Sequence, residues 1–210
     1  MQPNMQKYQL TDEQMDALLD RARVAVVSTI GEDGYPYAAP VNFVVVDGRI
    51  FFHGRKVGEK VSNIKRDPRC CFTVVDDKGF WRMGDGACDT TSLYESVIIR
   101  GKVRIIEDDE TKTEVLRALV DKLTPERRMD GIDPRKVPPT GMFEVVVESR
   151  TGKYRNPNPG DRVYQRFRME NGTGGTPSRW KPFGVRGQHR TRHALRTVRS
   201  GRRSCPGSCP

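Results

Sequence analysis

The chain has 210 residues, enough for one domain of ordinary size and an additional segment. Its formal net charge of +10 is uneven, because residues 155–210 contain 13 basic and 2 acidic side chains, a net charge of +11 (13 − 2). Residues 1–154 carry the other 24 basic and 25 acidic side chains, a net charge of −1 (24 − 25). A nearly neutral body disfavours nucleic-acid binding by its surface and leaves the basic tail as the one candidate for it.

Neither a secretory signal nor a membrane span is predicted. The N-terminus has no basic segment followed by an apolar stretch, and no run approaches the ~18 apolar residues of a membrane-spanning helix. The five cysteines are therefore expected to be reduced thiols, and a cytoplasmic location is expected for the protein.

The first predicted helix begins after Thr11. Thr11 and Gln14 have the spacing of a capping box, in which each side chain accepts a hydrogen bond from the other residue's backbone N–H. Apolar residues then recur at helical spacing, at Met15, Leu18, Leu19 and Ala22.

Three strands are predicted next, over 24–30, 35–46 and 49–54. The dipeptide Asp47-Gly48 joins the last two as a tight hairpin, because both residues tolerate positive φ. A helix over 56–66 follows and ends at Asp67-Pro68.

The second half of the body adds three strands, a long loop and one helix. Strands are predicted over 69–75, 94–107 and 142–149, a long loop over 76–92, and a helix from Asp109 to Leu123. Thr111 and Glu114 have capping-box spacing near the start of that helix. Six strands with short hairpins and no regular strand–helix alternation predict a mainly β protein, a small antiparallel barrel with helices packed outside.

Residues 155–210 differ in character from the body, and we predict two parts: a domain over 1–154 and a disordered, basic tail over 155–210. The tail has one leucine and no isoleucine, too little apolar surface to offset its ordering entropy. A shifted reading frame or vector-derived sequence is an alternative origin for it. Four formal zinc ligands in it match no zinc module, and no metal site is predicted; they are His189, His193, Cys205 and Cys209.

The clearest chemical pattern lies at the end of the third strand. His53 is followed by Gly54, which frees the backbone to turn, and by Arg55, Lys56 and Lys60 near a helix start. Unpaired N–H groups and the helix dipole favour an anion at such a place. A solvated basic helix face is the alternative interpretation. His53 is the single histidine of the body, so a His-based triad or a metal site with several histidines is not expected there.

Several motifs together resemble the pyridoxamine 5′-phosphate oxidase-like, FMN-binding split-barrel superfamily, and within it the nitroimidazole-resistance branch. They are "PVNF" (40–43), "FFHG" (51–54), "GEK" (58–60), "NIKRDPRCCF" (63–72) and "YESVIIRGK" (94–102). The resemblance covers residues 5–153 and does not extend to the tail. It implies a six-stranded split β-barrel that forms a homodimer, with FMN bound at the subunit interface.

The resemblance also implies roles for particular residues. The phosphate of FMN would lie near His53, Gly54 and Lys60, with Arg55 and Lys56 as additional cations. Asn42, Phe43 and Val44 would run beside the flavin ring and offer backbone groups to its polar edge. Tyr94 and Ser96 would contribute from a later strand.

The function implied by the resemblance is an FMN-dependent oxidoreductase that reduces a small molecule such as a 5-nitroimidazole, with His53 as a catalytic proton donor. Alternatives are a flavin carrier or sensor without turnover and, less favoured, nucleic-acid binding through the tail. Vitamin B6 oxidation is disfavoured, because the C-terminal Arg/His region of the oxidases has no match before the tail. Cys88 lies near the position of a loop cysteine in the branch, and an ordinary loop cysteine is the alternative.

Overall fold

The computed structural model describes residues 8–86 and 88–155. The strands are β1 (Val24–Ile30), β2 (Pro36–Val46), β3 (Arg49–Gly54), β4 (Arg69–Arg82), β5 (Thr90–Ile106) and β6 (Gly141–Arg155). The α-helices are α1 (Asp12–Arg21), α2 (Glu59–Arg66) and α3 (Asp109–Leu123), and two short 3-10 helices occupy Pro125–Asp130 and Pro134–Lys136. None of the helices in these ranges is long and apolar enough to cross a membrane.

The six strands form a closed barrel in the order β1-β2-β3-β6-β5-β4, and all six pairings are antiparallel. This confirms the mainly β, six-stranded antiparallel barrel predicted from the sequence. The predicted hairpin between β2 and β3 is also present, with φ of 48° at Asp47 and 74° at Gly48. Positive φ at both turn residues matches the right-handed twist of the flanking strands.

Apolar side chains fill the barrel and a second layer outside it. Phe43, Phe52, Phe72 and Phe143 lie fully buried in the interior, where the Phe52 and Phe143 rings stack with centroids 5.0 Å apart. A second cluster joins the outer faces of β2, β3, β5 and β6 to α3; it contains Val44, Phe51, Ile106, Val115, Leu119 and Met142. The helix α3 therefore covers the barrel wall that carries the end of β3.

The helix caps confirm one prediction and correct another. At α1 the Thr11 hydroxyl accepts from the backbone N–H of Gln14, and the Gln14 side chain accepts from that of Thr11, so the capping box is present. At α3 the predicted Thr111–Glu114 box is wrong. Asp108 is the N-cap, and its carboxylate accepts from the Thr111 N–H at 2.7 Å.

The prediction of a loop over 76–92 is largely wrong. The strand β4 continues to Arg82, β5 begins at Thr90, and the two strands pair with each other as a two-stranded arm. Its glycines and aspartates suggested a loop, but two of them, Asp77 and Gly79, sit at a register shift inside the paired strands, where Gly79 has φ 92°. Bulges allow such residues inside long strands. The exposed Cys88 lies at the tip of this arm.

The strand β6 is longer than predicted and ends at Arg155, which pairs with Tyr94 on β5. Arg155 was assigned to the tail by the sequence analysis, and it is the last residue of the barrel in the structure. The prediction of disorder for the rest of the tail, 156–210, falls outside the described residues.

Candidate functional site: a basic corner between a strand and a helix

The corner at the end of β3 is held in place by the start of β6. His53 pairs with Met142, and Gly54 pairs with Gly141. A Cβ on Gly141 would lie 2.8 Å from the backbone oxygen of Arg55, so only glycine allows this approach. The close contact fixes the place where the chain leaves the barrel and turns toward α2.

The helix α2 presents unpaired backbone donors at this corner. Its N-cap is Gly58, with φ 118°, and no side chain caps the helix. The first helical turn begins with Val61 N–H donating to the Gly58 oxygen at 2.9 Å. The preceding N–H groups of the helix start lack helical acceptors, and they carry the positive end of the helix dipole.

Lys60 is a partly buried cation without a carboxylate partner among the described residues. Its Nζ lies 5.0 Å from the Phe52 ring centroid and 5.6 Å from that of Phe143. The same atom lies 3.4 Å from the place where a Cβ on Gly54 would be. Burial lowers the pKa of the ammonium, which means that its charge is poorly solvated.

His53 stands beside this cation with an unsatisfied nitrogen. Its Nδ1 is buried and has no hydrogen-bond partner. Burial and, second, the charge of Lys60 lower the pKa of the imidazole below 6.5, so the ring is mostly neutral at pH 7. Buried polar atoms are normally hydrogen-bonded, and among the described residues this nitrogen shares its unsatisfied state only with the Ser96 hydroxyl.

The other two cations of the corner are exposed. Lys56 lies 3.4 Å from the Glu107 carboxylate, so part of its charge is balanced. Arg55 makes no ion pair with any described residue. Glu59, in the first turn of α2, is a second carboxylate near the corner. With Lys60 the corner therefore has three cations and two carboxylates, a net charge of +1 (3 − 2).

The side chains predicted on β2 do not point into one site. Phe43 is fully buried in the barrel, and Val44 packs in the cluster under α3. The exposed Asn42 donates from Nδ2 to the Arg23 oxygen at 3.0 Å. The prediction concerned backbone groups, however, and the pairing of β2 with β3 stops at Phe43 and Phe52. Beyond that pair, the edge of β2 beside Gly54 has no strand partner among the described residues.

Tyr94 and Ser96 lie far from the corner. Ser96 pairs with Lys153 on β6, whereas His53 pairs with Met142, 11 positions (153 − 142) earlier on the same strand. At a rise of ~3.3 Å per residue this is about 36 Å along β6. One chain therefore brings together His53, Gly54, Arg55, Lys56 and Lys60, and it keeps Tyr94 and Ser96 apart from them.

Two residues of the corner were missed by the sequence analysis. Phe143 forms part of the apolar floor under Lys60, and Gly141 permits the close approach of β6 to β3. Both belong to a strand that pairs with β3 across a long stretch of chain, and no local pattern signals such a contact. The one local sign of this contact in the sequence is the glycine at the first position of β6, Gly141.

The fold defines a class: a closed six-stranded antiparallel barrel with helices packed outside, here with a basic corner between a strand and a helix. The family model described as pyridoxamine 5′-phosphate oxidase matches residues 11–154, more than half of the chain. The chain belongs to this family, which confirms the resemblance found in the sequence. No curated protein matches it significantly.

Solved structures share the fold. A candidate 5-nitroimidazole antibiotic resistance protein from Bacteroides thetaiotaomicron VPI-5482 is 24% identical, with a TM-score of 0.60 over 70% of this chain and 86% of that chain. A flavocytochrome from Azotobacter vinelandii is 22% identical, with a TM-score of 0.65 over 78% and 76%. An FAD and heme binding protein from Mycobacterium smegmatis is 22% identical, with a TM-score of 0.63 over 73% and 76%. At these identities the likeness establishes the fold.

Proposed function

We propose that the protein binds FMN and that the corner between β3 and α2 holds the 5′-phosphate. The observation that carries this proposal is Lys60, a partly buried cation with no carboxylate partner among the described residues, next to the unpartnered Nδ1 of His53. A dianionic phosphate over Gly54 accepts from the ammonium and from the free N–H groups of α2. Arg55 and Lys56 add attraction at the rim.

The flavin ring is proposed to lie against β2. Its polar edge needs hydrogen-bond donors and acceptors, and the unpaired edge of β2 beside Gly54 offers backbone groups of that kind. Asn42 contributes through its backbone in this proposal, because it lies just beyond the last pair of β2 with β3. Phe43 and Val44 pair with Phe52 and Phe51 on β3 and have side chains in the core, so they contribute by positioning that edge.

A homodimer is proposed because one chain does not surround one flavin. Tyr94 and Ser96, which the resemblance assigns to the cofactor, lie about 36 Å along β6 from His53. A two-fold axis would place these residues from one copy beside the corner of the other. The same patch on both copies then builds two equivalent sites.

An apolar sheet face supports the same proposal. Val26 on β1 is 36% exposed and Ile98 on β5 is 38% exposed, and both stand across from Thr73 on β4. Val24 and Val75, at 51% and 57% exposure, extend the face along their strands. A contiguous apolar face of this kind suits contact with a second copy.

We further propose an oxidoreductase acting on a small molecule, such as a 5-nitroimidazole. Bound FMN would supply two-electron redox chemistry, and the chain binds it, orients it and excludes water. His53 is proposed as the catalytic residue that holds or moves a proton at Nδ1. Support comes from the family and from the fold shared with the candidate nitroimidazole resistance protein.

The decisive experiment titrates FMN and riboflavin into the wild type and Lys60→Ala. A charge-assisted hydrogen bond contributes roughly 1.5–3 kcal/mol net, so FMN affinity should fall about 10- to 150-fold. Riboflavin lacks the phosphate, and its affinity should change less than about twofold. Unchanged FMN affinity would mean that the phosphate lies elsewhere.

Further measurements separate the related alternatives. FAD belongs in the same titration, since the exposed cations Arg55 and Lys56 could meet a second phosphate. Reduction of a 5-nitroimidazole by the photoreduced, flavin-loaded protein, faster than by the same concentration of free reduced FMN, supports an enzyme. Tight flavin binding without such turnover supports a carrier or sensor. A monomeric mass for the flavin-saturated full chain would contradict the homodimer.

A further inference from the structure

A chain of buried polar side chains connects α2 to the barrel. Asn63 on α2 is 2% exposed, and Thr29 on β1 is 1% exposed. The Nδ2 of Asn63 donates to the Oγ1 of Thr29 at 3.2 Å. Buried amide and hydroxyl groups cost stability unless they are paired, so this pair specifies how α2 and β1 face each other.

Both ends of the Asn63 amide are used. Its Oδ1 accepts from the Arg66 guanidinium at 3.4 Å, and the same guanidinium donates to the Ile30 backbone oxygen on β1. The Thr29 hydroxyl in turn donates to the Tyr37 backbone oxygen at 3.5 Å. The hydrogen bonds therefore run from α2 across β1 to β2.

The helix α2 depends on tertiary contacts for its position. It has eight residues, and isolated helices shorter than about 12–15 residues are marginal in water. Val61 and Ile64 are its apolar anchors, at 4% and 3% exposure, and apolar contacts are not directional. A hydrogen bond has a preferred length and angle. Asn63 therefore limits the sliding and rotation of α2 that Val61 and Ile64 permit.

The position of α2 decides where Lys60 points. Lys60 is three positions before Asn63, so the two side chains are neighbours on the helix surface. The Lys60 Nζ lies 5.0 Å from the Phe52 ring centroid and 5.6 Å from that of Phe143. A shift of α2 by about 1.5 Å, the rise of one residue, is enough to break a hydrogen bond from this ammonium to an anion over Gly54.

We propose that Asn63 is a positioning residue of the phosphate site and that it acts by holding α2, through Thr29, where Lys60 meets the phosphate. The inference rests on the proposed function for the identity of the ligand, whereas the position of Lys60 is a property of the flavin-free chain. The alternative is that Val61 and Ile64 place the helix by themselves and that the polar pair adds only stability.

The test variant is Thr29→Val/Asn63→Leu, which removes both polar partners. Valine has the shape of threonine, and leucine branches at the same carbon as asparagine. Removing both partners leaves neither of them unpaired in the interior, so the fold is expected to survive. Leucine is larger than asparagine, and Thr29→Val/Asn63→Ala is therefore the second form of the test, in which the helix cannot be pushed outward.

The first readout needs no ligand. The Lys60 methylene next to the ammonium is held over two aromatic rings, so ring currents should shift its NMR signal in the flavin-free full chain. Lys60→Arg identifies that signal by removing it from the spectrum of lysine-labelled protein. Both double variants should lose half or more of the shift, and an unchanged shift in both overturns the proposal.

The second readout is the preference for FMN over riboflavin, the ratio of the two affinities. Both double variants should lower this ratio about tenfold and leave riboflavin within about twofold. In the Lys60→Ala background the same substitutions should change the ratio by less than about twofold, because Asn63 acts through Lys60. A further tenfold loss in that background would overturn the proposal.

Val97→Ala is the control for loss of stability. Val97 is fully buried in the barrel and pairs with Gly152, ten positions (152 − 142) along β6 from the partner of His53. The cavity left by its methyl groups should lower the melting temperature by several degrees. The Lys60 signal and the FMN preference should stay as in the wild type. A loss of preference as large as in the double variants overturns the proposal, because stability alone then accounts for it.

The two readouts separate this inference from the proposed function. If the wild type binds FMN and riboflavin equally tightly, the proposed phosphate site fails, and the Lys60 signal still decides whether Asn63 positions the cation. If the wild type prefers FMN and the double variants keep both this preference and the Lys60 shift, the proposed function stands and the positioning role of Asn63 is overturned.

Discussion

The ammonium of Lys60 lies over Gly54, with Nζ 3.4 Å from the position of a Cβ on that glycine. The two residues are joined by a turn of five residues, and the lysine reaches back from the first turn of α2 to the end of β3. Gly54 therefore leaves open the space in front of the cation. A side chain at this position would occupy the volume that the proposed phosphate needs.

Gly54→Ala is expected to lower the affinity for FMN by up to about tenfold, because the methyl group displaces the ammonium or the phosphate. The stability of the flavin-free protein should change little, since the neighbouring atom is the end of a flexible side chain. Fluorescence titration with FMN and riboflavin measures the effect. Ser62→Ala, on the exposed face of α2, is the control, and an equal loss for riboflavin would show that the methyl group disturbs the ring instead.

The pH dependence of stability should report on His53. Burial and Lys60 hold its folded-state pKa below 6.5, so the unfolded chain takes up the proton first as pH falls. The flavin-free protein should therefore lose stability as pH falls from about 6.5 through the folded-state pKa. Urea unfolding of the wild type and His53→Gln at several pH values measures this difference, which should be absent in the variant.

Saturation with FMN is the matching control for that experiment. A bound phosphate favours the protonated ring and should flatten the acid side of the profile for the wild type. If the wild type and His53→Gln lose stability in parallel below pH 6.5, the orphaned nitrogen does not titrate in this range.

Local signals made most of the fold predictable. The capping box at Thr11, the Asp47-Gly48 hairpin and the helix from Asp109 to Leu123 each depend on residues that are neighbours in the chain. The corner at His53 and Lys60 was predictable for the same reason, since a short turn joins the two residues. Each of these features is determined by residues that lie within a few positions of one another in the sequence.

Pairing between distant segments was not predictable in the same way. The arm of β4 and β5 exists because 13 pairs of residues form one ladder that a single register shift does not end, which overrides the loop character of Asp77 and Gly79. The separation of Ser96 from His53 follows from the register of β6, and no local pattern encodes that register.

Gly101 on β5 should be intolerant of any side chain. It lies at the register shift opposite Val146 and Val147, and a Cβ would approach the Val146 backbone oxygen to 2.1 Å. Gly101→Ala should destabilise the protein by about 1–3 kcal/mol or more, because backbone atoms in the middle of a barrel cannot move aside. Thermal unfolding measures it, with Arg100→Ala as the exposed neighbour expected within about 0.5 kcal/mol of the wild type.

Lys122 links α3 to the end of α1 and should govern stability at alkaline pH. Its Nζ donates to the Leu19 oxygen at 2.9 Å, one of the carbonyls left unpaired at a helix end, and lies 4.1 Å from the Phe43 ring centroid. Burial lowers the pKa of the ammonium to about 8. The charged form is thus less favourable in the folded protein than in the unfolded chain, where the pKa is about 10.4.

The sign of the effect follows from proton binding. Between about pH 8 and 10.4 the unfolded chain holds more protons at this site, so the free energy of unfolding should rise with pH through that window. The side chain is only partly buried and solvent screens its charge, so the gain should be on the order of 1 kcal/mol. Lys122→Met keeps the contact with Phe43 and cannot titrate. Urea unfolding at pH 7.5 and 10 should show the wild type gaining stability relative to this variant, and an equal change in both proteins would mean that another group is responsible.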